Sequence, residues 1–310
     1  MKRPEVYLTR EITPASLVKI YEQLGVPAEG RVGVKISLGE PGNQNYLKPE
    51  LIKDLVHLVD GTIIESNTAY GGGRGDTANH LQVAKDHGFT EIAEIDIMDA
   101  DGEIELPIRG GHNLDVDPVG QNLAKYDTVI NLAHFKGHGV AGFGGVLKNQ
   151  SIGIASIAGK AYIHTAGATR DAEKFMACFS ENPPADLDVF AIQDQFLESM
   201  AEAAKAVSDY LRDKTGRENP ILYINVLNNI SRDCDCDAEP EAVNLPDLGI
   251  IASLDPVAAD QASLDQILAL TGEGRDAFAE RLETQNGAHI LQYAAELGLG
   301  SREYELIEID

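Results

Sequence analysis

Short β-rich runs alternate with helical patterns along almost the whole chain, and this order restricts the folds that the chain can adopt. The β-rich runs cover residues 6–9, 32–37, 62–65, 128–132, 221–226 and 248–253. Strands that are separated by helices usually pair in parallel, and the helices then cover the sheet. The alternation therefore predicts an α/β fold with a mostly parallel sheet and helices on both faces.

Helix-start signals lie between these runs. Thr13 and Asp255 each precede a proline, which is the usual order of a cap and a first helical residue. Pro49 opens a segment whose apolar residues recur at helical spacing. Further helices are expected at 195–212 and, as a pair, within 275–297.

A proline pair within residues 179–187 interrupts the pattern and is the best candidate for a boundary. No internal repeat or low-complexity tract is visible. We expect one α/β unit over residues 1–310, with two lobes at 1–180 and 187–310.

The chain is strongly acidic, because its 310 residues include 25 basic and 50 acidic ones, for a formal net charge of −25. Such a field repels nucleic acids and anionic membranes, so neither is an expected partner. An anionic ligand would need a local cationic pocket. No apolar run suits a signal peptide or a membrane span, and three cysteines are too few for a disulfide framework. We therefore expect a cytoplasmic protein, with homo-oligomerisation left open.

Residues 134–149, HFKGHGVAGFGGVLKN, gather two histidines, two lysines and five glycines directly after a predicted strand. His134 is expected to begin a loop there, at the edge of the sheet where α/β proteins usually bind ligands. The amides of a glycine-rich loop can form an anion-binding nest, to which Lys136 and Lys148 would add charge. The alternative is a tight loop whose glycines adopt positive φ, with histidines exposed by chance.

Two nucleotide-binding motifs are nearly matched in this part of the chain. Residues 137–142 fit G-x-G-x-x-G, but two further glycines follow instead of a convincing helix, and no acidic residue stands about twenty positions on to hold a ribose. Residues 153–160 are one residue too long for a phosphate loop, and Ala161 replaces the magnesium-binding Ser or Thr. The sequence therefore predicts neither nucleotide site.

A second glycine-rich stretch, residues 65–80, lies between a predicted strand and a helix start near Asp76. An arginine beside glycines and a helix N-terminus suits a carboxylate or a phosphate, whereas the alternative is an ordinary strand-to-helix turn. The residues predicted to bind a cofactor or ligand here are Gly71, Gly72, Gly73 and Arg74.

Cys234 and Cys236 lie in the acidic segment SRDCDCDAEP. In an extended segment both thiols would face one side and the neighbouring aspartates the other. The acidic neighbours are expected to raise the thiol pKa values, whereas a bound metal would deprotonate the thiols. Two thiolates do not complete a zinc or iron site, so histidines or Cys178 would have to supply further ligands. A metal or cluster site and two inert thiols are the alternatives.

These segments together resemble the domain-of-unknown-function 362 family over nearly the whole chain. The resemblance rests on VKISLGEPG, SNTAYGGGRGDT, HFKGHGVAGFGGVLKN, GIASIAGK, DCDC and DLGIIASLDPVAADQASLD, in this order. Many members resemble iron–sulfur proteins, because a ferredoxin-like segment with two cysteine-rich motifs precedes the equivalent of residue 190. Residues 165–195 of this chain contain only Cys178, so ferredoxin-type clusters do not carry over. Cys234 and Cys236 are then the only cysteines that leave an iron–sulfur cluster as an alternative.

A weaker similarity links residues 138–148 to the loop H-x-x-x-G-F-S-G-G-x-K of the nickel-pincer lactate racemases. Gly142, Phe143 and Lys148 stand at equal offsets, whereas Gly144 replaces the serine of those enzymes. The resemblance implies that His138 and Lys148 would serve a cofactor and an anionic substrate. It is an analogy of architecture rather than of activity.

The sequence as a whole favours an enzyme, associated with a metal ion or an iron–sulfur cluster, that acts on a small anionic substrate by redox or isomerisation chemistry. His134 or His138 would be the acid–base group or a ligand, and Lys136 is the third predicted catalytic residue. Lys136, Lys148 and Arg74 would hold the anion. The competing class is a non-catalytic carrier of a metal, cluster or small ligand. The cofactor-binding residues predicted from the stretch 134–149 are Gly142, Gly144, Gly145, Lys148 and Asn149.

Overall fold

Strands and helices alternate over residues 3–309, the part of the chain that the computed structural model describes. The strands are β1 (Glu5–Thr9), β2 (Val32–Lys35), β3 (Thr62–Glu65), β4 (Ile95–Ile97), β5 (Glu103–Pro107), β6 (Val116–Gly120), β7 (Thr128–His134), β8 (Lys136–His138), β9 (Gly142–Gly144), β10 (Ile221–Leu227), β11 (Gly249–Ser253) and β12 (Glu305–Glu308). The helices are α1 (Pro14–Gln23), α2 (Pro49–Leu58), α3 (Thr77–Asp86), α4 (Val146–Gln150), α5 (Ile157–His164), α6 (Ala172–Ala177), α7 (Gln193–Thr215), α8 (Pro256–Leu268), α9 (Glu273–Thr284) and α10 (His289–Glu296).

One eight-stranded sheet forms the centre of the fold, in the order β12-β1-β11-β10-β7-β2-β3-β4. Strand β11 runs antiparallel to both of its neighbours, whereas the other neighbouring pairs are parallel. The predicted α/β fold with a mostly parallel sheet is confirmed. Each of the six predicted strands lies in this sheet, and the short edge strands β4 and β12 are additions to them.

Helices cover both faces of the sheet, as the side chains of β10 show. Leu222 and Ile224 point to one face and pack in a buried cluster with residues of α1 and α2. Ile221 and Tyr223 point to the other face and pack with residues of α7. Because alternate residues of a strand face opposite sides, both halves of this strand need apolar cover. This explains why β10 is apolar along nearly its whole length.

Side-chain caps begin three of the helices at the positions that the sequence indicated. Thr13 accepts a hydrogen bond from the amide of Ser16, and Asp255 accepts one from the amide of Ala258. Asp76 caps α3 in the same way. Such caps satisfy backbone N–H groups that have no partner within the helix, so the predicted helix starts are confirmed.

The stretch 134–149 differs from the open loop that the sequence predicted. His134 is the last residue of β7, and the glycine-rich part forms the buried hairpin β8–β9 followed by helix α4. A Cβ atom on Gly137 would lie 2.3 Å from the carbonyl oxygen of Arg232, and one on Gly145 would lie 2.2 Å from Asp260 Oδ1. These glycines therefore permit close packing against other segments, rather than an exposed nest.

Residues 179–187, where the sequence suggested a boundary, lie between α6 and α7. Strands from both sides of this segment join in the same sheet, and the division into lobes stays a prediction. Within residues 3–309, no helix is both long enough and apolar enough to cross a membrane.

Candidate functional site

A cavity of about 290 Å³ lies at the carboxyl ends of β2, β3 and β7 and beside the loop that follows β10. These four strands are mutually parallel neighbours, so their carboxyl ends meet at one edge of the sheet. Ligands of open α/β sheets usually bind at that edge. The cavity is therefore the first candidate for a functional site.

The lining of the cavity is cationic, although the chain as a whole is strongly acidic. Its basic side chains are Lys35, Arg74, Lys136, Lys148 and Lys160, and Glu65 is the carboxylate among its lining residues. Apolar side chains complete the wall, among them Val140, Ile152, Phe175, Met176 and Phe179. Such a lining suits a small anion with a short apolar part.

Cys234 and Cys236 line this cavity together with His138, and one ligand atom from each of the three lies within 4.8 Å of the others. The hydrogen bond from Cys236 lowers the pKa of Cys234 well below its ordinary value, and Lys148 and His138 lower it further. Conversely, the bond to Cys234 and burial raise the pKa of Cys236 well above its ordinary value. The expectation that both thiol pKa values would rise is therefore wrong for Cys234, because the hydrogen bond from Cys236 and, after it, the basic groups Lys148 and His138 stabilise its thiolate.

His138 is held in one orientation by its own hairpin. Its Nδ1 accepts hydrogen bonds from the amides of Val140 at 3.2 Å and Ala141 at 2.9 Å. Because Nδ1 accepts twice, the neutral ring carries its proton on Nε2, which is the nitrogen left for Cys234. Burial and the charge of Lys148 lower the pKa of His138.

Asp235, which lies between the two cysteines in the sequence, binds two of the predicted catalytic residues. Its carboxylate accepts hydrogen bonds from His134 Nδ1 at 2.7 Å and from Lys136 Nζ at 2.8 Å. His134 Nε2 donates to the carbonyl of Asn228 at 2.6 Å. No ring nitrogen of His134 is left for a ligand, which corrects its predicted acid–base role. Although burial opposes the charge of Lys136, Asp235 raises its pKa above the ordinary value, so this lysine is a paired ammonium.

Arg74 orders the loop after β3 instead of presenting its guanidinium to a ligand. It donates to Glu40 at 3.0 Å, to Glu65 at 2.9 Å and to the Tyr70 hydroxyl at 2.8 Å. Burial opposes the ionisation of Glu65, but Arg74 and His80 outweigh it and hold the pKa of that carboxyl well below its usual range. The predicted role of Arg74 in holding an anion is therefore corrected, because its donors are engaged by the protein.

The remaining predicted residues divide into those at the cavity and those away from it. Gly144, Gly145, Lys148 and Asn149 line the cavity, whereas Gly71, Gly72, Gly73 and Gly142 do not. The amide of Gly73 donates to Glu40, so a carboxylate of the chain itself occupies the expected anion position. Lys148 has no carboxylate within salt-bridge distance in the described part of the chain. It is thus the cavity lysine best placed to pair with an external anion.

A family model described as "Domain of unknown function (DUF362)" matches residues 32–265, a range that includes all of the cavity-lining residues. The chain belongs to this family. The membership that the sequence motifs predicted is confirmed. No curated protein matches the chain of this DUF362 member.

Two solved structures were found to be similar to this DUF362 chain. The lactate racemase apoprotein from Thermoanaerobacterium thermosaccharolyticum has 14% sequence identity and a TM-score of 0.44, with 84% of this chain and 56% of that chain covered. A protein from Thermotoga maritima, solved by a structural genomics consortium, has 12% identity and a TM-score of 0.43, with 88% and 58% covered. The DUF362 chain spans little more than half the length of either neighbour.

Three residues at or behind the cavity of this DUF362 protein were missed from the sequence. Lys35 and Lys160 line the cavity, and Asp235 binds two of its lining residues, His134 and Lys136. The signal for Lys35 was present, because a lysine interrupts the apolar run of a strand that is buried on both faces. Lys160 ends the segment that was set aside as a near match to a phosphate loop, and Asp235 lies between the two predicted metal ligands. Neither position indicates by itself which side chains it contacts, because those partners come from elsewhere in the chain.

Proposed function

We propose that this chain is an enzyme that acts on a small anionic substrate, with a metal ion held at the cavity by Cys234, Cys236 and His138. The observation that carries the proposal is the adjacency of two features. Three soft or borderline donor atoms lie within 4.8 Å of one another, and the cavity that they line also contains Lys148, which has no carboxylate within salt-bridge distance among the described residues. A cation site and an anion site are thus side by side.

The donor set fits a single metal ion better than an iron–sulfur cluster. Two thiolates and one imidazole are three of the four ligands of a tetrahedral site, and a fourth position open to substrate is typical of catalytic zinc-type centres. Common clusters need four cysteines. This chain has three, and Cys178 lies in a separate apolar cluster, where its thiol donates to backbone carbonyls.

The protonation of His138 sets a condition for metal binding. In the arrangement described here, Nε2 carries the ring proton, so a metal ion at that atom requires the proton to move to Nδ1 and the amides of Val140 and Ala141 to release Nδ1. The thiol proton of Cys236 would be displaced to solvent. Metal binding should therefore release protons and strengthen as the pH rises. When bound, the ion would supply Lewis acidity or an electron-transfer centre beside the substrate.

The chain's own residues supply binding and orientation in this proposal. Lys148 pairs with the negative charge of the substrate. Lys136 and His134 are held in place by Asp235. Their role in this proposal is to shape one wall of the cavity, and neither transfers a proton. The apolar wall, which includes Phe175 and Phe179, would exclude water from the bound substrate.

Anaerobic purification followed by metal analysis and calorimetry with oxalate and phosphate as probes tests the proposal. We expect a stoichiometric metal ion that is lost when Cys234 and Cys236 are replaced, and an anion affinity that depends on Lys148. Cys178→Ser and Lys53→Ala, a change of an exposed lysine on α2, are matched controls that should leave both unchanged. Metal-free protein that binds neither anion would contradict the proposal. Stoichiometric metal without turnover of any anionic compound would favour the carrier instead.

A further inference from the structure

Lys35 is a buried lysine that has no acidic partner in the described part of the chain. Lys136, the first residue of β8, is also buried but is paired with Asp235. Lys35 is the last residue of β2, it is 1% exposed, and it lines the cavity. Its Nζ donates to the carbonyl of Ile36 at 2.8 Å and to Asn149 Oδ1 at 3.0 Å. Within residues 3–309, Nζ has no further hydrogen-bond acceptor and no carboxylate at salt-bridge distance.

The orientation of Asn149 shows that its oxygen, and not its nitrogen, faces Lys35. Asn149 Nδ2 donates to the carbonyl of Lys35 at 3.0 Å and to Asn131 Oδ1 at 2.8 Å. Asn131 is oriented in turn, because its own Nδ2 donates to the carbonyl of Val146 at 2.8 Å. These hydrogen bonds fix the orientation of Asn149, so that its Oδ1 accepts the hydrogen bond from Lys35 Nζ.

The number of hydrogen-bond acceptors around Nζ then indicates which protonation state of the Lys35 amine fits this position. A neutral amine has two N–H groups and one lone pair, whereas an ammonium has three N–H groups. The two acceptors use two N–H groups, and a third would be left unsatisfied in a buried site. The geometry thus accommodates the neutral amine, whose lone pair would occupy the third position around the nitrogen.

The surrounding charges act in the same direction. Burial is the main cause that lowers the pKa of Lys35 from 10.5 to about 7. Glu65 opposes this shift, and the nearby cations Lys160, Arg74 and Lys136 contribute to it. Gly153 leaves space at the nitrogen, since a Cβ atom there would lie 2.7 Å from Nζ. A desolvated lysine beside other cations is a known arrangement for an amine nucleophile.

We infer that Lys35 is a nucleophile that forms a Schiff base with the carbonyl carbon of a small oxo acid bound in the cavity. The inference rests on the proposed function for the binding of the acid, whose carboxylate pairs with Lys148. The Lys35 nitrogen bonds to the carbonyl carbon, and the carbonyl oxygen leaves as water with the two protons of the amine. No oxidant or reductant is consumed. The substrate class is thereby narrowed from small anions to anions that carry a ketone or an aldehyde.

Reductive trapping tests this inference directly. The full-length protein, purified anaerobically, is incubated with pyruvate or glyoxylate and sodium cyanoborohydride, and the modified lysines are located by peptide mass spectrometry. We expect preferential labelling of Lys35, because its neutral fraction near neutral pH is roughly a thousandfold that of an exposed lysine. Oxalate, which binds as an anion but does not form an imine under these conditions, should protect Lys35.

The variants and the binding measurements separate the outcomes. Lys35→Arg and Lys35→Met should abolish the preferred label, and Lys53 in the same sample gives the background rate. Labelling of Lys35 no faster than Lys53, or preferential labelling of Lys160, would overturn the inference. Binding of oxalate and pyruvate by calorimetry without a label on Lys35 would overturn it and leave the proposed function standing. Failure of both anions to bind would contradict the proposed function itself.

Discussion

Asp235 Oδ2 lies 2.8 Å from Lys136 Nζ, so a residue between the two cysteines of one loop is tied to the hairpin that carries His138. The same carboxylate binds His134 at the end of β7. All three side chains are almost fully buried. This cluster holds the cysteine loop against the hairpin and thereby brings the three candidate metal ligands together.

Asp235→Asn should destabilise the fold by about 3 kcal/mol or more, because it leaves the buried ammonium of Lys136 without its counter-charge and weakens the contact with His134 Nδ1. Although burial opposes its ionisation, His134 and Lys136 lower the pKa of Asp235, so its stabilising effect exists at neutral pH and is lost as the pH falls below the ordinary aspartate range. Urea denaturation at neutral pH measures the effect. Asp237→Asn, two residues along and exposed, is the matched control. Equal midpoints for the two variants would refute the role of Asp235.

Gly145→Ala should destabilise the protein and disturb the cavity, because the added Cβ atom would lie 2.2 Å from Asp260 Oδ1. Asp260 accepts hydrogen bonds from the amides of Val146 and Leu147 and from Asn225, and so fixes the start of α4. The expected loss is about 1–3 kcal/mol of unfolding free energy, measured by denaturation. Gly139→Ala is the control, since its Cβ would meet only a flexible arginine side chain at 3.4 Å. A similar effect of both changes would contradict the packing argument.

Local signals in the sequence were enough to predict the sheet and its helices. They were not enough to predict which side chains contact one another in the site. Thr13 before Pro14 and the apolar run of β10 act within a few residues, so they could be interpreted without the structure. The hairpin β8–β9 could not be predicted in this way. Gly137 within it and Gly145 directly after it pack closely against Arg232 and Asp260, which are far away along the chain.

The same limit explains why some of the predicted site residues reach the cavity without a partner from the protein and others do not. Cys234, Cys236 and Lys148 reach the cavity that they were expected to serve. Arg74 lines the cavity as well, but a glutamate more than thirty positions earlier, Glu40, binds its guanidinium. Whether a basic side chain is free for a ligand depends on such distant partners, and no spacing rule provides them.

Lys148→Ala should weaken the binding of oxalate or phosphate about ten- to a hundredfold, since a charge-assisted contact contributes about 1.5–3 kcal/mol. Because Lys148 has no acidic partner within residues 3–309, the melting temperature should change little. Titration calorimetry and thermal denaturation provide the two readouts, with Lys53→Ala as the control. An unchanged affinity would remove Lys148 from the site.

Lys35 should make the stability of the protein depend on pH between about 7 and 10.5, since its pKa is lowered to about 7 in the folded state. Below pH 7 both states bind the proton, and the full cost of burying the charge is present. Between the two pKa values the unfolded chain binds more protons, so stability rises with pH. Lys35→Met should therefore gain more stability at about pH 6 than at about pH 9, measured by urea denaturation. A gain that is the same at both pH values would show that Lys35 is not titrating in this range.

Replacement of both Cys234 and Cys236 by serine should remove the metal ion and lower the melting temperature of protein purified without oxygen. Serine keeps the shape of cysteine approximately but is a poor ligand for soft and borderline metals, so the loss should be nearly complete. Because a metal ion that binds only the folded state adds its binding energy to stability, a chelator should reproduce the shift in the parent protein and have little effect on the variant. Cys178→Ser is the matched control and should keep the metal, since Cys178 packs against Phe175 and Leu187 away from the cluster. Two inert thiols would instead give no stoichiometric metal, no response to chelator and only a small packing loss. The metal site is therefore refuted if anaerobic protein carries no metal and melts at the same temperature with and without the two cysteines.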